Sequence, residues 1–305
     1  MHKEKEQQEK TKLHARNRNR APYNLEALIA VQPDLSPYIK PNKYRTTSID
    51  FSNPVAVKLL NKALLDHYYG IEYWDFPDRN LCPPIPGRVD YLHYIADLLS
   101  KEYEGQIPRG DQITCLDIGL GASCIYPILG VVEYDWRFIG SDIDKDSLES
   151  ARKIVQKNAV LQDKIECRLQ KNEQHIFRDI LNDGDKIDVS ICNPPFHASK
   201  AEAQKANRRK VRNLTGKHTK TSSLNFAGVN KELIYAGGEL RFIKNMIKES
   251  KQYSKHCRWF STLVSKQSNL KEIYRALKKV DASDIETILV GTGNKNSRIV
   301  AWCFG

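Results

Sequence analysis

Nothing in this 305-residue chain approaches the roughly 18 to 20 consecutive apolar residues that a membrane-spanning helix requires. Its polar start, MHKEKEQQEK, likewise lacks the apolar centre of a signal peptide. A soluble, unexported, cytoplasmic protein is therefore expected. The seven cysteines are odd in number and never spaced Cys-x-x-Cys, which argues against a disulfide framework and against a zinc site. Positions 82, 115, 124, 167, 192, 257 and 303 fall mostly in apolar, strand-like runs, so reduced core thiols are expected. His14, His67, His93, His175, His197 and His218 are scattered without ligand spacing, so no metal is expected. No Ser-His-Asp or Cys-His arrangement stands out, and no internal repeat is present. Acidic residues are in deficit, 37 against 48 Lys and Arg, for a formal net charge of +11. Such a surplus is the footprint of a polyanion binder, although a merely basic solvated surface gives the same number.

What is present divides the chain into three parts. Residues 1–50 read as a basic N-terminal arm and linker. The first 22 or so are too poor in apolar side chains to offset their ordering entropy, and Lys12, Arg16, Arg18 and Arg20 carry four positive charges with no acid between them. Residues 51–109 read as a helical accessory segment. In NPVAVKLLNKALLDHYY, Asn53 is placed to cap and Pro54 to start a helix with Val57, Leu60, Leu64 and Tyr68 along one stripe. After the turn CPPIPG, a second helix at about 88–104 carries Val89, Leu92, Ile95, Ala96 and Leu99. From 110 to 305 short apolar runs alternate with helical segments, the βαβ signature of a parallel sheet covered on both faces. Strands are expected at 112–118, 136–142, 165–169, 187–192, 258–264, 284–290 and 298–303. The last two are joined closely enough for a hairpin, so an α/β, Rossmann-like, seven-stranded, mostly parallel sheet with an antiparallel edge is expected.

Three motifs carry chemistry. In Asp117-Ile-Gly-Leu-Gly-Ala122, Gly119 and Gly121 allow a tight turn and close approach of a ligand to the backbone at a strand end. The third glycine of G-x-G-x-x-G is missing, which disfavours a pyrophosphate and favours a cofactor without phosphates, though a plain tight turn also explains the pair. Asp142, at the end of the next strand, is placed to accept both hydroxyls of an adenosine ribose; helix capping by Asp142 or Asp144 is the alternative. The third motif, Asn193-Pro194-Pro195-Phe196, directly follows the apolar strand IDVSIC. Two prolines fix φ and remove two donors, leaving rigid outward-facing acceptors. The Asn193 amide oxygen and the Pro194 carbonyl can then accept both hydrogens of one planar amino group and draw it toward tetrahedral geometry, with Phe196 stacking on the base for about 1–3 kcal/mol. A rigid strand-end turn is the bland alternative.

Beyond this motif the basic loop 197–238 opens with eight cations, among them Lys205, Arg208, Arg209, Lys210 and Arg212, against one acid, Glu202, before residue 221. A phosphate backbone would be tracked by such a run, and a solvated loop is the competing reading. The helix expected at 239–253 adds Arg241, Lys244, Lys248 and Lys251, with Phe242, Ile243, Met246 and Ile247 assigned to the core.

The residues DIGLGASCIYPILG, SDID, QKNEQ and CNPPF resemble the adenine-N6 methyltransferases of bacterial 23S ribosomal RNA, whose eukaryotic relatives modify a small nuclear RNA and messenger hairpins. The likeness extends from LHARNRNR through FSNPVAVKLLNKALL and CPPIPGRVDYLHYIADLL to LNFAGVNKELIYAGGELRFIKNMI and the last strands. It implies a class I methyltransferase fold and S-adenosyl-L-methionine as methyl donor. It implies Arg88 on the cofactor carboxylate, Asp117, Gly119 and Gly121 in the cofactor loop, Asp142 on the ribose, Asn172 near the cofactor adenine, and Asn193 to Phe196 as the catalytic loop, with Asn193 also beside the cofactor. Eukaryotic relatives tend to carry Glu at the position of Asp142, a carboxylate of the same chemistry. Arg16, Arg18, Arg20 and the cations of 205–212 become the expected RNA contacts, with 23S ribosomal RNA, free or in an assembly intermediate, as partner to a monomer. Methylation of another structured RNA, or a noncatalytic RNA-binding or ribosome-assembly role, would use the same residues.

Overall fold

The computed structural model describes residues 10–41, 46–206, 230–292 and 295–305. Two short strands, β1 (Ile39–Pro41) and β2 (Thr47–Ile49), form an antiparallel pair of their own. The main sheet holds β3 (Thr114–Ile118), β4 (Arg137–Asp142), β5 (Ile165–Leu169), β6 (Ile187–Cys192), β7 (Cys257–Val264), β8 (Ile285–Thr292) and β9 (Lys295–Trp302) in the order β5-β4-β3-β6-β7-β9-β8. All seven expected strands form within a few residues of their expected bounds. The first five run parallel, and β8 and β9 close the edge as an antiparallel hairpin.

The helices that flank the sheet and position the site are α1 (Leu25–Val31), α2 (Pro54–Tyr69), α3 (Ile85–Ser100), α4 (Ile125–Tyr134), α5 (Lys145–Lys157), α6 (Gly238–Ser250) and α7 (Leu270–Lys279). Alternation along the strands separates two cores. On β9, Ile299 and Ala301 face the layer of α2 to α5, and Val300 and Trp302 face α6 and α7. Asn53 caps α2 by accepting from the Val55 and Ala56 amides, Pro54 opens it, and Gly70 at φ 64° ends it. Its buried stripe runs through Ala56, Leu60, Ala63, Leu64 and Tyr69, turned slightly from the expected one. α3 begins three residues earlier than expected, because Pro86 is tolerated in a first turn whose N–H groups need no intrahelical partner.

The N-terminal segment departs from the expectation of a free arm. Residues 10–20 are packed down, with Leu13, His14, Asn17 and Asn19 buried. Asp90 on α3 accepts from the His14 amide at 3.0 Å and the Asn17 side chain at 2.5 Å, and Asn19 reaches the Tyr69 hydroxyl at 3.2 Å. Polar burial replaces the apolar burial that the composition lacks. Nor do residues 51–109 stand apart: α2, α3, Leu28 and Leu35 share one continuous core with the sheet.

The topology decides where a ligand can sit. From β3 the chain moves outward to β4 and β5, and from β6 it moves the other way to β7. The order reverses between β3 and β6, and the crevice beyond the carboxyl ends of strands at such a point is where open α/β sheets bind ligands. Ile118 and Cys192 are register partners there, so Gly119 and Asn193, the next residues on each strand, leave the sheet side by side.

Candidate active site

At the β3 end, Gly119 and Gly121 adopt φ of 81° and 66°, a region L side chains rarely occupy, and an added Cβ at either would meet open space. The turn is held by the Ser141 carbonyl, which accepts from the Gly119 and Leu120 amides, both at 2.9 Å. One Asp142 oxygen accepts from the Gly121 amide at 2.8 Å and the other from the Asp144 amide at 2.9 Å. Capping of α5 falls to Asp144, which accepts from the Ser147 amide and hydroxyl. The Asp142 carboxylate thus fastens the glycine turn and keeps lone pairs for a further donor. Burial raises its pKa, against the pull of the amides of Asp144, Gly121 and Ile143.

Asp117 is fully buried, and neither carboxylate oxygen has a partner among the described residues. Burial, with the neighbouring Asp142 charge, pushes its pKa up to about 8, opposed by the charge of Arg88. Arg88, one turn into α3, donates to the Tyr126 hydroxyl at 2.9 Å and lies 5.4 Å from that ring's centroid. Its buried Nε has no partner among the described residues. Buried unpartnered donors and acceptors each cost about 1–3 kcal/mol, more when charged. A carboxyl and a guanidinium left open within one electrostatic neighbourhood suit a ligand carrying both an ammonium and a carboxylate.

At the β6 end, Asn193, Pro195 and Phe196 are half-buried and Pro194 is buried. Tyr91, wholly buried on α3, braces this end: its hydroxyl accepts from the Cys192 amide at 3.3 Å and donates to Ser261 Oγ, which donates to the Ser190 carbonyl at 2.7 Å. Beyond Phe196 the backbone is tied on both sides. The His197 amide donates to the Leu233 carbonyl and the Tyr235 amide donates to the His197 carbonyl, both at 3.0 Å. Gly238 lies against Ala198 with room for van der Waals contact, and its φ of 68°, a region L side chains rarely occupy, is what favours glycine there. Glu239 then accepts from the Ser265 amide and the Asn269 side chain, anchoring α6 beside the end of β7.

The remaining expected residues divide. Asn172 is exposed, in a turn after β5 that the Gln170 amide joins to the Asp142 carbonyl; its side-chain oxygen accepts from the Gln174 amide at 3.0 Å. Arg16 pairs with Asp97 at 2.8 Å and donates to the His93 carbonyl, and Arg18 pairs with Glu133 at 3.0 Å. Their charges are therefore met within the fold. Arg20 is half-buried in the adjoining turn, and Lys205 is exposed on a helix that begins at residue 200. Arg208, Arg209, Lys210 and Arg212 lie outside the described residues. All seven cysteines are free thiols. Among the described residues no cluster of three or more His, Cys, Asp or Glu is arranged to hold a metal, and no helix is long and apolar enough to cross a membrane.

Comparison with known proteins gives this geometry its context. A family model described as RNA methyltransferase matches residues 7–305. The chain belongs to this RNA methyltransferase family. Among its relatives is the ribosomal RNA large subunit methyltransferase F of Cytophaga hutchinsonii, 50% identical over 97% of this chain and 92% of that protein. The protein of the same name from Bacteroides thetaiotaomicron is 51% identical over 97% and 99%. Solved neighbours include the hMettl16 catalytic domain in complex with MAT2A 3'UTR hairpin 1, with a TM-score of 0.81, 30% identity and 96% of each chain covered. Another is the N-terminal domain of human METTL16 in complex with SAH, with a TM-score of 0.75, 27% identity, and 96% and 99% covered. This methyltransferase uses S-adenosylmethionine. The open Asp117 and Arg88 groups and the uncluttered glycine turn fit an amino-acid cofactor.

Several side chains hydrogen-bonded around this candidate site escaped the sequence reading: Trp74, whose indole donates to the Ser123 carbonyl just past the glycine turn at 2.8 Å, with Asn80, Tyr91, Tyr126, Glu232 and Glu239. Trp74 and Asn80 sit in the irregular stretch between α2 and α3, where no periodicity marks a role.

Proposed function

We propose that this enzyme methylates the exocyclic N6 of an adenine in 23S ribosomal RNA, in the cytoplasm, as a monomer without a metal. The observation that carries the reading is the emergence of Asn193 beside the glycine turn at the reversal of strand order. Names shared by relatives about 50% identical to this chain support the ribosomal substrate.

When bound, S-adenosylmethionine supplies an electrophilic methyl group on a sulfonium. Arg88 would hold its carboxylate, Asp117 its ammonium and Asp142 its ribose hydroxyls, with Asn172 near its adenine. On the acceptor side, the Asn193 amide oxygen and the Pro194 carbonyl each accept one amino hydrogen of the target base. An aromatic amine is a weak nucleophile because its lone pair is delocalised into the ring; two acceptors draw the nitrogen toward tetrahedral geometry and turn the lone pair toward the donor. The surplus proton leaves after alkylation, so no strong base is needed beforehand. Phe196 stacks on the base, which must be unpaired or extruded for its amino group to enter. Arg16, Arg18, Arg20, Lys205 and the cations at 208–212 contribute to RNA binding, the first two only to the extent that RNA competes with Asp97 and Glu133.

Mapping N6-methyladenosine in 23S RNA from cells with and without the gene tests this. One adenine should lose its methyl group in the deletion and regain it on complementation; unchanged maps would refute the assignment. A structured RNA of another kind is the second reading, favoured by the neighbour solved with a messenger hairpin.

A further inference from the structure

Glu232 lies where the two halves of the site meet. It belongs to the single helical turn Asn230–Leu233, and one of its oxygens accepts from the Asn80 side-chain amide at 2.8 Å. The other accepts from the Leu81 backbone amide at 3.1 Å. Asn80 is itself buried and reaches Ser147 Oγ, in the first turn of α5, at 3.5 Å. That turn follows Asp142 and Asp144 directly. On the other side, the next residue, Leu233, supplies the carbonyl that holds the His197 amide, and His197 follows Phe196. A short path therefore runs from the Asp142 end of the cofactor pocket through Ser147, Asn80 and Glu232 to the backbone carrying the Asn-Pro-Pro-Phe loop.

The chemistry of the joint is specific. A carboxylate can accept from both N–H groups at once, whereas a glutamine must turn its NH₂ toward one of them. Hydrogen bonds to an ionised acceptor are about twice as strong as neutral ones. The segment 79–84 that Glu232 grips runs into α3 only a few residues before Arg88, so a shift there moves the cofactor and base sides together.

We infer that Glu232 is a positioning residue that couples cofactor binding to RNA binding, holding the acceptor loop in register with the cofactor pocket. This rests on the proposed function only in taking RNA as the second ligand. Coupling between sites is reciprocal and commonly amounts to a factor of about 5–150.

The test measures the affinity of the full chain for 23S RNA stripped of protein, with and without saturating S-adenosylhomocysteine, in wild type, Glu232→Gln, Asn80→Ala and the double variant. In wild type the ligand should tighten RNA binding by about tenfold, within the usual span of coupling. In either single variant that gain should fall to about twofold or less, and the double variant should lose no more than Glu232→Gln, because both break the Asn80–Glu232 contact through which the path runs. In steady-state assays, KM for RNA should rise more than kcat falls. A gain that survives in a folded Glu232→Gln, or losses that add in the double variant, would overturn the inference. So would a wild type that methylates RNA without any coupling. Should Glu232→Gln fail to fold, Asn80→Ala opens the joint from the other side and decides alone. Failure of the functional reading would look different: wild type would transfer no methyl group to 23S RNA at all.

Discussion

Replacing Asp117 with asparagine tests the reading of the buried carboxyl as the ammonium partner. The unliganded enzyme holds this group at a pKa of about 8, chiefly through burial, so at pH 7 about nine molecules in ten carry it protonated. An ammonium is bound by the carboxylate, and each binding event must then release that proton. Below the pKa, affinity for S-adenosylhomocysteine should rise by nearly tenfold per pH unit, giving about thirtyfold, or roughly 2 kcal/mol, between pH 5.5 and 7.0. The ligand's own α-ammonium stays charged over that window. The contribution of Asp117 is read as the difference between wild type and Asp117→Asn. Titration calorimetry in two buffers of different ionisation enthalpy reads the released proton directly. Stability of the unliganded protein carries the opposite sign. The unfolded carboxyl ionises near pH 4 and the folded one near 8, so the unfolded state binds fewer protons between them and stability declines as pH rises through the window. Asp117→Asn should flatten that decline. A wild type whose affinity is level from pH 5.5 to 7.0, or a variant with the same slope, would refute the reasoning.

Other expectations follow from single interactions. Trp74→Phe keeps the ring but strands the buried Ser123 carbonyl; it should lower stability by about 1–3 kcal/mol in denaturant melts and weaken S-adenosylhomocysteine binding. Glu249 accepts from the consecutive amides of Ile176, Phe177 and Arg178, so Glu249→Gln, which forfeits part of that cradle, should cost about 1–3 kcal/mol by the same assay, with an unchanged midpoint as the contrary result. Alanine at Lys205, Arg208, Arg209, Lys210 and Arg212 should reduce the log–log salt slope of RNA binding by about 0.7–0.9 for each phosphate that is no longer neutralised. Cofactor affinity should stay constant, and a parallel fall would place these cations in the cofactor site. Arg16→Ala, which strips Asp97 and the His93 carbonyl of a partner, should lower the melting temperature while changing that salt slope little.

Strand positions were legible because buried parallel strands leave nearly continuous apolar runs, and the glycine turn and Asn193 motif were legible because each follows such a run directly. That the two lie side by side was not: it depends on Ile118 pairing with Cys192, a register no local pattern encodes. The packed N-terminal segment was hidden for another reason. Counting apolar residues treats His14, Asn17 and Asn19 as solvent-seeking, whereas hydrogen bonds to Asp90, Asp97 and Tyr69 accompany their burial. Glu232 gave no signal because its partners lie 151 and 152 positions away. Asn172, picked from the family likeness, comes to the right end of the sheet but lies exposed, its amide oxygen engaged in its own turn.

The most direct trial of the two-acceptor arrangement is methyl transfer from labelled S-adenosylmethionine to stripped 23S RNA by Asn193→Ala, with RNA and S-adenosylhomocysteine affinities measured in parallel. Loss of one preorganised polar partner of the reacting group should lower kcat by about 10²–10³ while both affinities stay within a few-fold of wild type. A variant that transfers methyl groups at near the wild-type rate, or one whose loss is accounted for by weaker binding of either ligand, would contradict the account.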